Sequence, residues 1–248
     1  MKIVVCIKSV RATLLLQPSK KYAINPYDIC ALEEAVKLKE SKQTEVICLI
    51  MGVVDQRLAA ELKKFGADRI IFASDTKFAG ADTLATTYTL SKAINKIGQV
   101  DLILCGDHAI DGETGHVGAG LAKRLGFDFL SNVDHLEVEE ERLMCICRDK
   151  TYRYTYEIES GMVLAVVNCM IKEVTLSIMQ LKRINSVAYE VWDASELEVD
   201  VEKCGLLGSR TKVVDVEQMN KRNARNATEL NMENQEDMKQ LLQILRRR

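Results

Sequence analysis

The first 130 residues alternate between short apolar runs and longer segments whose apolar positions recur at helical spacing. The short runs predict buried strands, because Ile, Val, Leu and Cys dominate them, and the longer segments predict helices. The predicted strands are Ile3–Ile7, Glu45–Met51, Arg69–Phe72 and Leu102–Cys105, and the predicted helices lie near Pro26–Ser41, Gln56–Phe65 and Asp82–Ile97. Such alternation is typical of a parallel sheet with helices on both faces, an α/β fold.

The pattern changes after Leu130. Three further segments alternate polar and apolar residues, or are rich in strand-forming residues, around short polar turns, which predicts antiparallel strands. They are Asp134–Glu140, Leu143–Arg148 and Tyr152–Glu157, a region near 134–157. The run Met162–Cys169 is apolar enough to return to the main sheet.

The last part of the chain has a different composition. Residues from Gly205 to about Gln235 are polar and rich in Asn, so they bury too little apolar surface to fold as a domain. Apolar residues from Met238 to Leu245 then recur at helical spacing. We therefore expect an α/β domain over residues 1–204 and, over 205–248, an arm ending in an amphipathic helix. The arm could fold back on its own domain or pack on a partner, and its length favours the partner.

The stretch from Asp101 to Gly120 is the strongest candidate for chemistry. An apolar strand leads into a loop with glycines at 106, 112, 115, 118 and 120, and a helix follows. Glycine lets the backbone approach an anion closely, and free N–H groups at a helix start point toward it. We expect backbone donors at Gly115, His116 and Val117 and a hydroxyl donor at Thr114. A turn that binds nothing would use the same glycines, and Thr114 could instead cap the helix.

Composition narrows the function classes. A net charge of −2 and 5% aromatic residues argue against nucleic-acid binding. The eight cysteines lie mostly in apolar runs, where cysteine behaves as a small hydrophobic residue. Cys145 and Cys147 lack a second pair at zinc spacing, so no metal site is expected. With no signal peptide and no apolar stretch near ~20 residues, we expect a cytoplasmic protein without a membrane span.

Several segments resemble the β subunits of electron transfer flavoproteins in order and spacing. They are Val4–Lys8, Asn25–Ala35, Gly66–Arg69 and Gly106–Gly118, and the resemblance extends over most of the chain. It implies a Rossmann-like, three-layer fold of the adenine nucleotide alpha hydrolase-like type with a C-terminal extension. It also implies a heterodimer with an α subunit that carries the redox FAD, and an adenine nucleotide in this chain. That nucleotide is AMP in most members and a second FAD in electron-bifurcating members.

The resemblance also implies a role and a set of site residues. The chain would be an electron carrier subunit rather than an enzyme, with no catalytic residues, and would support electron transfer between the α-subunit FAD and acyl-CoA dehydrogenase-type flavoenzymes. Position by position, the residues implied around the nucleotide are Cys6, Lys8, Asn25, Pro26, Tyr27, Asp28, Met51, Gly52, Asp111, Gly112, Glu113, Thr114, Gly115, His116, Val117 and Gly118. Ligands of parallel sheets bind beyond the carboxyl ends of the strands, where these segments lie. Residues 25–28 would contact base or ribose, although a helix start without a ligand uses the same residue types.

The segment Lys172–Lys182 lies where the family has its partner-docking loop, and Leu176 resembles the apolar anchor of that loop. The stretch Arg11–Ile24 is short and lacks the Pro-Asp-Thr-like turn of many relatives, which argues against bifurcation but not against a flavin in the site. The alternatives to an ordinary carrier are a bifurcating subunit with its own FAD and a nucleotide-binding or nucleotide-hydrolysing protein of the same fold. Hydrolysis is disfavoured because no Gly-Lys-Ser/Thr segment occurs.

Overall fold

The computed structural model describes residues 1–15, 20–41, 43–168, 177–182, 186–212, 214–215 and 239. The strands are β1 Lys2–Ile7, β2 Ser9–Arg11, β3 Tyr22–Ile24, β4 Glu45–Met51, β5 Arg69–Ala73, β6 Leu102–Gly106, β7 Asp128–Glu139, β8 Arg142–Arg148, β9 Arg153–Ile158, β10 Met162–Val166 and β11 Glu190–Trp192. The helices are α1 Pro26–Ser41, α2 Gln56–Phe65, α3 Thr83–Ile97, α4 Val117–Leu125, α5 Ile178–Lys182 and α6 Gly205–Gly208.

A nine-stranded sheet organises the fold, in the order β11-β5-β4-β1-β6-β10-β7-β8-β9. Neighbouring strands from β11 to β7 are parallel, and β7, β8 and β9 are antiparallel. Both predictions, the parallel sheet and the antiparallel strands that follow it, are confirmed. The apolar run beginning at Met162 returns to the main sheet between β6 and β7. It ends as a strand at Val166, earlier than the predicted Cys169.

Two apolar cores cover the two faces of the sheet, which confirms the three-layer α/β architecture. On one face α1 and α2 bury residues such as Leu32 and Leu62 against Val5. On the other face α3 and α4 bury residues such as Leu90 and Leu121. Burial on both faces explains why the central strands read as continuous apolar runs.

A small hairpin, β2–β3, lies outside the main sheet and was not predicted. Ser9 pairs with Ile24 and Arg11 with Tyr22. Just before β3, the Lys20 ammonium lies 2.8 Å from the Glu61 carboxylate of α2, and both side chains are almost fully buried. A buried charge is costly unless it is paired, so this ion pair ties the hairpin to α2.

The chain divides into two units, Met1–Lys212 and Val213–Arg248. Residues 205–212, which the sequence placed in the arm, belong to the first unit. Asp82, the N-cap of α3, accepts hydrogen bonds from the backbone N–H groups of Arg210 and Thr211 at 2.7 and 3.1 Å. The predicted terminal helix and most of the arm lie outside the described residues.

Candidate functional site

The candidate site lies where the strand order reverses. From β1 the chain adds β4 and β5 on one side of the sheet, whereas β6 pairs with β1 on the other side. The crevice beyond the carboxyl ends of two such strands is where ligands of open α/β sheets bind. Lys8 follows β1 directly, and the glycine-rich loop follows β6 at Gly106.

Asp28 joins the ends of these two strands from the first turn of α1. Its carboxylate accepts hydrogen bonds from the Lys8 N–H at 2.7 Å and from the Gly106 N–H at 3.0 Å. The side chain is only 5% exposed. Burial raises the pKa of Asp28 to about 7, although these hydrogen bonds, one from Asn25 and the charge of Lys8 act in the opposite direction.

Gly106 is required by this arrangement. A Cβ at residue 106 would lie 2.5 Å from Asp28 Oδ1 and 2.5 Å from Tyr27 Cβ. The start of α1 therefore approaches the end of β6 more closely than any residue with a side chain allows.

Asn25 holds the beginning of the glycine-rich loop. Its Nδ2 donates to the carbonyl oxygen of His108 at 2.9 Å, and its Oδ1 accepts from the Ile110 N–H at 3.2 Å. Its own N–H donates to the Lys8 carbonyl at 3.0 Å. Because the side chain is 1% exposed and uses both ends of its amide within the protein, it shapes the loop.

The loop itself turns back on Ala109, whose carbonyl accepts hydrogen bonds from the N–H groups of Gly112 and Glu113. Its first residue, Asp107, is anchored on β10 by a 2.9 Å hydrogen bond to the Val166 carbonyl. Gly115 has a φ of +63°, a conformation natural to glycine. A Cβ there would meet only Asp107 O, at 3.5 Å, so the backbone is open to approach.

The Lys8 ammonium and the Thr114 hydroxyl line the same loop. The Lys8 ammonium lies 2.6 Å from Asp111 Oδ1 and stays about half exposed. The Thr83 hydroxyl of α3 donates to Thr114 Oγ1 at 3.3 Å, which leaves the Thr114 proton for another acceptor. Both side chains could bind an anion.

Helix α4 begins directly after His116, and the His116 side chain makes no capping hydrogen bond. The first N–H groups of a helix have no acceptor within it, and the helix dipole is positive there. Gly118 has a different position: it is buried, and a Cβ would lie 2.9 Å from Phe129 and 3.0 Å from Cys105 Sγ. It lets α4 pack on the sheet.

The remaining predicted residues lie around this centre. Cys6 is a buried thiol whose pKa burial raises to about 12, and Pro26 is buried at the start of α1. Met51 ends β4 and Gly52 follows it; both are half-buried, and a Cβ at Gly52 would lie 3.4 Å from Ser9 Oγ. Tyr27 packs its ring against His108, with ring centroids 4.1 Å apart.

Sequence reasoning missed two participants, Thr83 and His108, and named Gly106 only as a glycine of the loop. His108 lies in the loop after β6, packs on Tyr27, and has its Nδ1 3.1 Å from Asp107 Oδ2. The adjacent Gly-Asp-His sequence at a strand end could have indicated this position. Thr83 carries no comparable local signal, because its contact comes from a separate helix.

Leu176, the predicted anchor of the partner-docking loop, lies outside the described residues. Of the predicted loop, residues 177–182 are described, and Ile178 and Met179 are well exposed there.

Among the described residues, no helix is long and apolar enough to cross a membrane. Within that same part of the chain, no group of three His, Cys, Asp or Glu side chains could hold a metal ion.

Comparison with known proteins shows the family of this chain. Residues 13–186 match the family described as the electron transfer flavoprotein domain. Protein FixA of Azorhizobium caulinodans is 34% identical, over 86% of this chain and 83% of FixA. The electron transfer flavoprotein subunit beta of Clostridium acetobutylicum is 31% identical over 86% of each chain. The caffeyl-CoA reductase-Etf complex subunit CarD of Acetobacterium woodii is also 31% identical over 86% of each.

Proposed function

Because this chain belongs to the family of electron transfer flavoprotein β subunits and FixA proteins, we propose that it is the nucleotide-holding subunit of a heterodimeric electron carrier. Its partner is an α subunit that carries the redox FAD. The single observation that carries the proposal is the anion-binding geometry of the loop between β6 and α4, which lies at the reversal point of the sheet.

The donors of this loop fit a nucleotide phosphate. The backbone is open at Gly115, Thr114 offers a hydroxyl proton, Lys8 offers an ammonium group, and the start of α4 adds N–H groups. We propose that the backbone donors at residues 115–117 and the Thr114 hydroxyl bind the phosphate. Tyr27 and His108 lie on the α1 side of the crevice, where the base or ribose would be bound.

We propose AMP as the nucleotide, with FAD as the alternative. Both present an adenosine phosphate to the loop; AMP supplies a structural group, whereas FAD would add a redox-active ring. The short segment that contains the β2–β3 hairpin supports an ordinary carrier over a bifurcating subunit, since bifurcating relatives have a longer excursion there, and AMP is the nucleotide that the resemblance implies for ordinary carriers. The chain's own residues bind and orient the nucleotide, and the FAD of the α subunit would supply the redox chemistry.

The proposed redox partner of the heterodimer is an acyl-CoA dehydrogenase or a related flavoenzyme. CarD, one of the similar proteins, is named as a subunit of a caffeyl-CoA reductase complex, and this supports a partner that acts on acyl-CoA compounds. The carrier role also fits the sequence of the loop, which contains no Gly-Lys-Ser/Thr segment of the nucleotide-hydrolysing type.

The direct test is to purify the full chain without added nucleotide, precipitate it, and identify the released compound by absorbance and mass. We expect AMP. Released FAD would support a bifurcating subunit, whereas release of no nucleotide, together with no binding of added AMP or FAD, would contradict the proposed site. Release of phosphate from ATP by the chain alone would instead support a hydrolase.

A further inference from the structure

The reversal point of this sheet already contains an anion. Ligands of open α/β folds bind beyond the carboxyl ends of the strands at such a point, and the N–H groups of Lys8 and Gly106 lie there, at the ends of β1 and β6. Here both donate to the carboxylate of Asp28, at 2.7 and 3.0 Å. The carboxylate therefore takes up the two backbone donors that these strand ends would otherwise offer to a ligand.

The surroundings are built to keep that carboxylate in place. A Cβ at residue 106 would collide with Asp28 and Tyr27. The side chain of Asn25 donates a hydrogen bond to Asp28. The titratable groups of the neighbouring strands that interact electrostatically with the carboxylate are the thiols of Cys6 on β1, Cys105 on β6 and Cys48 on β4. Lys8 is the cation whose charge acts on it.

The two residues that Asp28 holds also begin the binding loop. The backbone N–H of Lys8 donates to Asp28, and its ammonium donates to Asp111, beside Gly112. Gly106 precedes Asp107, the first residue of the loop. Fixing these two N–H groups therefore fixes where the ammonium and the loop lie.

We infer that Asp28 is a positioning residue: an internal anion that fills the anion position between β1 and β6 and thereby holds Lys8 and the glycine-rich loop ready for the nucleotide. The phosphate is then received by the start of α4 and not by the strand ends. This inference rests on the proposed nucleotide-binding function.

Chemical rescue by formate tests the inference, because Asp28→Ala leaves two buried N–H groups aimed at a space of carboxylate size. The full chain, freed of nucleotide, is titrated with AMP at about pH 8, above the pKa of about 7 that burial gives Asp28, in sodium chloride and in sodium formate of equal ionic strength. We expect Asp28→Ala to bind AMP about tenfold more weakly in chloride and to regain most of that affinity in formate.

Two variants serve as controls. Asp28→Asn fills the same space with an amide whose NH₂ faces an N–H donor, so it should also bind weakly, but formate should not restore it. Asp101→Ala removes a carboxylate that accepts the Lys2 N–H at 2.6 Å, at the opposite ends of the same two strands. It should keep the wild-type AMP affinity in both salts.

Three outcomes overturn the inference: wild-type affinity in Asp28→Asn, wild-type affinity in Asp28→Ala, or a folded Asp28→Ala that formate does not restore. If Asp28→Ala unfolds in chloride, Asp28→Asn still decides. A wild-type chain that binds neither AMP nor FAD overturns the proposed function itself, and that result is separate from any effect of the variants.

Discussion

The Lys8 ammonium and the Asp111 carboxylate form an ion pair across the mouth of the candidate site, 2.6 Å apart, between residues 48% and 32% exposed. Exposed ion pairs contribute little to folding, about 0–1 kcal/mol. The position of this pair, beside Gly112 of the loop, indicates a role in binding.

Lys8→Met should therefore weaken AMP binding several-fold while lowering the free energy of unfolding by less than about 1 kcal/mol. Calorimetric titration at low and high salt checks the first part, since the loss should shrink as salt screens the charge. Urea unfolding checks the second. As a matched control, Asp111→Asn should bind AMP at least as tightly as the wild type, because it frees the ammonium. Unchanged AMP binding in Lys8→Met would contradict this role.

Gly115→Val should abolish most AMP binding through strain in the loop. With φ at +63°, a side chain at this position costs about 1–2 kcal/mol, and relief of that strain would turn the loop donors away from the phosphate. Gly126, at the other end of α4, has a φ of +71° and open space around it. Gly126→Val should therefore lose similar stability in thermal unfolding and keep AMP. Equal AMP binding by the two variants would place the anion elsewhere.

Asn25→Asp should destabilise the chain by about 2–4 kcal/mol, measured by urea unfolding. The carboxylate still accepts the Ile110 N–H, but it cannot donate to the His108 carbonyl, and it adds a buried charge beside Asp28. Asn132→Asp is the control, because Asn132 is exposed and has a φ of +57°, which Asp also tolerates. That variant should change stability by less than about 0.5 kcal/mol. Similar losses in both would show that the Asn25 amide does not hold the loop.

The buried carboxyl of Asp28 should make stability depend on pH in an unusual direction. Its pKa is raised from 3.8 to about 7, so the folded chain binds this proton more tightly than the unfolded chain does. The contribution is complete below about pH 4 and is lost as pH rises through about 7. Urea unfolding of wild type and Asp28→Asn should give a stability difference that changes by at most about 4 kcal/mol between these limits. A difference that favours the wild type increasingly at higher pH would contradict the raised pKa.

Leu176→Ala tests the partner-docking prediction, which rests on the sequence alone. AMP should stay bound, and the rate of electron transfer to an acyl-CoA dehydrogenase-type partner should fall about tenfold or more, as for loss of a buried anchor. Val191→Ala, at an exposed apolar residue of the edge strand β11, should leave the rate unchanged. An undiminished rate in Leu176→Ala would remove the evidence for this loop.

Much of the fold could be predicted because its signals are local. The bounds of α1, β4 and α2 agree with the sequence pattern, since burial on both faces of the sheet imposes continuous apolar runs and helical periodicity. The β2–β3 hairpin and β11 could not be predicted, because each strand has three residues. Strands that short have too few positions to show a period.

The loop of the candidate site could be predicted from the sequence, but the hydrogen bonds that hold it could not. The glycines and the strand before them are contiguous in sequence, so their pattern indicates an anion site. Asp28, in contrast, acts on Lys8 and Gly106, which are 20 and 78 positions away. The sequence near Asp28 does not distinguish a carboxylate that only starts a helix from one that also joins two strands. Only the topology of the sheet brings Asp28, Lys8 and Gly106 together.

The position of β10 has a consequence for how the chain is made. The strand lies between β6 and β7, both of which are synthesised before it. Asp107, the first residue of the loop, donates its N–H to the carbonyl of Val166, the last residue of β10. During synthesis, β6 therefore keeps an open edge until residue 166 has emerged. A nascent chain stalled before Met162 would contain every residue of the loop and still lack the strand that anchors it, so nucleotide capture should be a late event in biogenesis.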